Sequence, residues 1–257
     1  MSYKTIMLDY YDNISKITLN RPSSLNAFNK DLRAELLSAL DLIEDDKKIN
    51  VVIIAGAGRG FSAGADLAEG FPDPISRQLN EEYKPVLTKI FGSEKLFIAQ
   101  VHGSAAGIGA ALAMCCDLLI MAEDANLYMA FAAIALVPDG GNTWLLLQQM
   151  GYRRALEVVV EGKKINASEC HHLGLANRVT PLDELEAATL SWAQNIAAKS
   201  PLANSAAKRL LRTVGMSTYG DAISQEAREQ DPLIRSADFD RGVKAFFAKT
   251  VPVFEGN

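Results

Sequence analysis

The chain has 257 residues, 49% of them apolar, enough for a substantial core in one large domain or two small ones. Its 31 acidic and 26 basic side chains are interspersed and sum to a net charge of -5, which leaves no basic stripe to neutralise a nucleic-acid backbone. Cys115, Cys116 and Cys170 are the only cysteines, an odd number with two adjacent, which fits reduced thiols and gives neither a disulfide framework nor a metal spacing.

The first residues, MSYKTIMLDYYDN, carry acids where a secretory leader needs an apolar run, so a cytoplasmic protein is expected. Ile14, Ile17 and Leu19 form a short β-rich stretch closed by Pro22, a first strand or hairpin. Asn29 is placed to cap a helix, because Leu32, Leu36, Leu37, Leu40 and Ile43 recur at helical spacing behind it. Val51 to Ile54 is a continuous apolar run of the kind buried on both faces of a parallel sheet. Residues 71 to 84, with two prolines and a polar run, read as a mobile excursion on the surface.

Ile98 to Ala122 is the most apolar stretch, but Gln100, His102 and Asp117 interrupt it, so a buried strand, loop and helix is expected and not a membrane span. Leu96 to Val101 reads as a strand, Gly109 to Cys116 as a helix and Leu118 to Met121 as a further strand. Another helix starts near Asn142. From Leu182 onward helices are expected over 185–198, 201–214, 219–228 and 239–248, giving an α/β architecture with a helical C-terminal region.

Three loops carry chemistry. GAGRGFSAGAD, residues 56 to 66, follows a buried strand and lets backbone N–H groups approach a ligand. It meets a loose GxGxxG pattern, but that fingerprint must open a helix, which Pro72 and Pro74 prevent. VHGSAAGIGAALAMCCDLL, residues 101 to 119, follows the next buried strand; Gly107 and Gly109 flank Ile108 where its helix begins, leaving that N–H free for an anion. Two such loops could aim two N–H groups at one oxygen, or serve only close packing. In the third stretch, LVPDGGNTWLL at 136 to 146, Asp139 precedes two glycines; spacing alone favours a turn or capping residue.

Together FSAGADL (61 to 67), VHGSAAGIGAALAMCCD (101 to 117) and LVPDGGNTWLL (136 to 146) resemble the enoyl-CoA hydratase/isomerase, or crotonase, family. The likeness runs from NRPSSLNAF at 20 to 28 to GVKAFFAKTVPVF at 242 to 254. It implies a ClpP/crotonase-like spiral of ββα units over residues 1–190, a C-terminal helical trimerisation region over 191–257, and assembly as a homotrimer or dimer of trimers. By position it makes Ala65 and Ile108 the oxyanion N–H donors. It sets the coenzyme A thioester near Leu25, Ala63, Asp66 and Leu67, with Lys249 as a phosphate contact. The thioester is the substrate; no cofactor, metal, nucleic acid or membrane is implied.

The hydratases of the family use two glutamates, and the aligned positions hold Ala111 and Phe131, the latter then lining the acyl site. Asp139 falls where isomerases of the family place an aspartate. The pattern is closest to the 1,2-epoxyphenylacetyl-CoA isomerase-like and enoyl-CoA isomerase branch, which shifts a double bond by a 1,3 proton transfer. Apolar Leu136, Val137, Trp144 and Leu145 are expected to raise its pKa by desolvation. Hydration of a 2-enoyl-CoA, an aspartyl nucleophile as in the dehalogenase branch, and acyl-CoA binding without catalysis are the alternatives.

Overall fold

A computed structural model of the chain describes residues 3–70, 72, 74–214, 230 and 232–257. Strands β1 (Ile6–Tyr11) and β2 (Ile14–Leu19) pair as an antiparallel hairpin in register from Ile6↔Leu19 to Tyr11↔Ile14. From β2 the sheet continues in parallel through β3 (Val51–Gly56), β4 (Leu96–Val101), β6 (Leu118–Ala122) and β9 (Arg178–Thr180), in that spatial order. Parallel pairing requires crossovers, and the connecting segments supply them. Val51 to Ala55 are all buried, as the uninterrupted apolar run demands of a strand covered on both faces.

A second, three-stranded sheet is made of β5 (Ser104–Ala106), β7 (Asn126–Tyr128) and β8 (Lys164–Asn166). These strands are three residues long, too short for alternation to reveal them in the sequence. β5 runs between β4 and helix α4 (Ile108–Cys115), so the apolar stretch from Ile98 folds as strand, short strand, helix and strand.

Helix α1 (Lys30–Asp45) starts where expected: the Asn29 side chain accepts the Leu32 N–H at 3.0 Å, and Leu32, Leu36, Leu40 and Ile43 are buried. The polar run before Lys84 is helical, unlike the excursion read from its composition. Helix α2 (Ile75–Gln78), a π-helical turn (Leu79–Tyr83) and α3 (Lys84–Gly92) follow without a break. The reason is long-range: Arg33 of α1, 3% exposed, reaches Glu82 at 2.7 Å and the Tyr83 hydroxyl at 3.2 Å, pinning this run to α1.

Helix α5 (Asn142–Glu161) is broken at Gly151, and α6 (Ala167–His172) is capped by Asn166. Helix α7 (Leu185–Ala197) packs across β2, β3, β4 and β6, so residue 190 lies within an element of the sheet core. Helices α8 (Pro201–Val214) and α9 (Ala237–Ala248) follow. The helix expected over 219–228 lies outside the described residues. No helix among the described residues is long and apolar enough to cross a membrane.

Candidate active site

The first loop leaves β3 at Gly56, and one buried amide organises it. Asn26, 0% exposed, donates from Nδ2 to the carbonyls of Ala57 (2.8 Å), Gly60 (3.0 Å) and Phe61 (3.1 Å), and accepts the Arg21 N–H at 2.9 Å. Loop carbonyls that cannot join a sheet are thereby satisfied inside the protein. The Phe28 N–H donates to Gly64 (2.8 Å) and the Phe28 carbonyl accepts the Asp66 N–H (3.1 Å). Those two bonds bracket Ala65, whose own N–H therefore faces away from Phe28.

The second loop lies against the first. Ser62 donates its N–H to Ser104 (3.1 Å) and accepts that of Ala106 (2.8 Å). At Gly64, with φ of +97°, a Cβ would stand 2.9 Å from the Ala106 carbonyl oxygen and 3.7 Å from the Gly107 Cα, so only glycine permits this approach. The loops thus abut just before Ala65 on one side and Ile108 on the other. Ile108 is the first residue of α4 and has no partner for its N–H within the helix. Neither the Ala65 nor the Ile108 N–H donates to an acceptor among the described residues.

The third stretch turns at Asp139 to Gly141 and closes on the second loop through Asn142. The Asn142 backbone N–H donates to the Asp139 carbonyl at 3.0 Å, and its Nδ2 donates to the carbonyls of Gly107 and Asp139, each at 3.0 Å. A Cβ at Gly140 would overlap Ile108 Cδ1 and lie 2.9 Å from Ala111 Cβ, so this turn sits directly on the first turn of α4. The Oδ1 of Asp139 is buried without a hydrogen-bond partner among the described residues. Burial pushes its pKa from 3.8 up to about 6.

Of the four apolar neighbours expected to desolvate Asp139, Leu145 is buried and the other three are not. Leu136, Val137 and Trp144 are 53%, 81% and 45% exposed, and Trp144 packs edge-on against Phe91 at 5.6 Å. The apolar groups beneath the turn are Ile108, Ala111 and Leu87, which the chain brings from α4 and α3. A cavity of about 320 Å³ adjoins the turn, lined by Leu79, Asn80, Tyr83, Lys84, Leu87 and Thr88 with Gly140 and Gly141. A larger space of about 510 Å³ between α5 and α8 contains Asp117, Lys208 and Arg212, whose charges are matched to one another.

The remaining residues singled out in the sequence distribute unevenly. Phe131 is buried, its ring tip 3.6 Å from where a Gly107 Cβ would be, so it borders the second loop. Leu25 is half-exposed with φ of +49°, and its carbonyl accepts the Ala63 N–H at 2.9 Å. Ala63 and Leu67 are exposed, and Asp66 pairs with Arg21 at 2.9 Å while capping the turn at 67–69. Lys249 is exposed just after α9, and no hydrogen bond or ion pair joins it to these loops. His102 bonds the Gly58 carbonyl at 2.9 Å and so ties the first loop to the second. Asn26 and Asn142 are the residues that sequence reasoning passed over; NRPSSLNAF and VPDGGN contain them, but nothing local marks their partners.

Residues 9–257 match the sequence profile described as Enoyl-CoA hydratase/isomerase. A probable enoyl-CoA hydratase of Rhodobacter capsulatus is 37% identical over 259 residues, covering 100% of both chains. A 1,2-epoxyphenylacetyl-CoA isomerase of Escherichia coli is 33% identical over 249 residues, covering 95% of each. The crystal structure of an enoyl-CoA hydratase from Bacillus anthracis superposes with a TM-score of 0.95 at 30% identity, over 99% of this chain and 100% of that one. With its crotonase fold, its abutting glycine loops and this full-length likeness, the chain belongs to the enoyl-CoA hydratase/isomerase family of acyl-CoA enzymes.

Proposed function

We propose that the protein is an enoyl-CoA isomerase that shifts a double bond by a 1,3 proton transfer, with Asp139 as the carboxylate that moves the proton between the reacting carbons. The observation that carries this reading is the Asp139 carboxyl: one oxygen is buried without a donor, and its pKa is raised to about 6, within reach of neutral pH. A single group then removes the proton from one carbon as carboxylate and returns it to another as acid. The Ala65 and Ile108 N–H groups hold the thioester oxygen, on which negative charge gathers as the enolate forms. The coenzyme A moiety lies along Leu25, Ala63, Asp66 and Leu67, and the acyl group enters beside Phe131 and the cavity under Gly140. Lys249 reaches a phosphate only if that ligand extends to the end of α9.

The name of the Rhodobacter relative favours hydration as the second reading. Against it stand the residues at the two positions where the hydratases of the family carry glutamates: Ala111 and Phe131, both buried and neither able to transfer a proton. The test is turnover of 3-enoyl-CoA and 2-enoyl-CoA thioesters in D₂O, native protein beside Asp139→Asn, with products resolved by mass. Isomerisation and deuterium exchange are expected to vanish in the variant. Hydration that survives in Asp139→Asn would restore the hydratase reading.

A further inference from the structure

Asn142 opens α5 and is fully buried, yet its Oδ1 has no donor among the described residues. Both groups facing its other end are carbonyl oxygens, those of Gly107 and Asp139, each 3.0 Å away, so the amide nitrogen must point to them and the oxygen must go unpaired. A buried acceptor left in this way costs stability, and a smaller residue at this position would avoid that cost. The arrangement is therefore paid for in stability and calls for a use.

The Gly107 carbonyl and the Ile108 N–H belong to one planar trans peptide, so a bond that fixes the carbonyl also fixes the direction of the N–H. This carbonyl also accepts the N–H groups of Ala110 (3.1 Å) and Ala111 (3.2 Å), which holds it within α4 and polarises the peptide. Asn142 adds what the helix cannot: a link from that peptide to the Asp139 backbone. Resting on the reading of Ile108 and Asp139 given above, we propose that Asn142 is a positioning residue that locks the oxyanion peptide and the proton-transferring carboxylate into one unit. It touches no reacting atom and acts through Gly107 and Asp139.

The experiment uses the full chain with but-2-enoyl-CoA carrying ¹³C at the thioester carbonyl, and compares native protein, Asn142→Ala and the isosteric Asn142→Asp. The infrared stretch of the bound carbonyl reports the pull of the N–H donors, and deuterium exchange from D₂O reports turnover. Both variants are expected to lower kcat by roughly tenfold or more, less than the loss of a donor itself, and to shrink the red shift of the carbonyl, with KM within about twofold. A structural role alone would instead lower Tm and raise KM while the carbonyl of bound thioester kept its native shift. That result, or native kcat in Asn142→Ala, overturns the proposal. A native protein that does not shift the carbonyl at all would overturn the assignment of Ala65 and Ile108 as donors, and the role of Asn142 with it.

Discussion

Asp117, at the end of α4, and Asp139, before α5, are two aspartates in apolar surroundings, and the fold treats them in opposite ways. Asp117 accepts the Phe97 N–H at 2.9 Å, Lys208 Nζ at 2.9 Å and Arg212 Nη2 at 2.7 Å. Asp139 has a buried oxygen with no donor among the described residues. A matched carboxylate holds elements together and is chemically quiet; an unmatched one is poised to take up a proton. The difference predicts which measurement each substitution moves. Asp139→Asn is expected to lower isomerase turnover by about 10³-fold, the scale of a lost general base, while the protein stays folded. Native-like turnover in that variant would erase the distinction between the two acids.

Asp117→Asn should do the reverse. Lys208 is 7% exposed and also donates to the carbonyls of Ile90 (3.1 Å) and Lys95 (2.9 Å), so its charge is buried where α8 meets the core. Removing the negative partner leaves that ammonium uncompensated, an expected cost of about 3 kcal/mol measurable by urea denaturation. Residual turnover per folded molecule is expected to be unchanged. A variant that kept full stability but lost turnover would mean that the cluster serves the reaction.

The sequence disclosed unequal shares of these two regions. The four-residue apolar run at Val51 predicts a buried strand because its signal is local, and Asn29 predicts a cap because its partner Leu32 is three residues away. The glycine loops were legible through their likeness to a family. Asn26 and Asn142 were not, because their partners lie far along the chain, at 57 to 61 and at 107. The same holds for the helical run from Ile75, fixed by Arg33, and for the surroundings of Asp139. Leu136, Val137 and Trp144 are its neighbours in sequence yet remain largely exposed, while the adjoining turn at Gly140 packs on Ile108 and Ala111 of α4 and Leu87 of α3.

The burial of Asp139 also gives the protein a pH dependence. The folded-state pKa of Asp139, about 6 against an ordinary 3.8, means that the folded protein holds this proton more tightly than the unfolded chain. Its contribution to stability is complete below about pH 3.8 and is lost as pH rises through about 6. Full burial would make that loss about 3 kcal/mol, and partial exposure to solvent reduces it to about 1–2 kcal/mol. Asp139→Asn should therefore be more stable than the native protein by that amount at pH 8 and equal to it at pH 4, as read from paired denaturation curves. The isomerase rate should rise with pH through about 6 and level off above it, since the carboxylate starts the reaction. Equal stability of the two proteins at both pH values would show that Asp139 is solvated like a surface acid.

The smallest effect is expected at Asn29, whose side-chain oxygen is used as a helix cap and touches no reacting group. Its side chain accepts the Leu32 N–H at 3.0 Å and starts α1, the helix whose Arg33 pins Glu82 and Tyr83. Asn29→Ala leaves one helical N–H without its cap and should cost about 1 kcal/mol in denaturation, with turnover preserved. The chain from α1 through Arg33 to the cavity beside Gly140 makes this a sharper trial than its size suggests. If the rate fell with the stability, the matched polar groups of α1 would be tuning the acyl cavity through Tyr83, and the division between quiet and reactive polar groups would not hold.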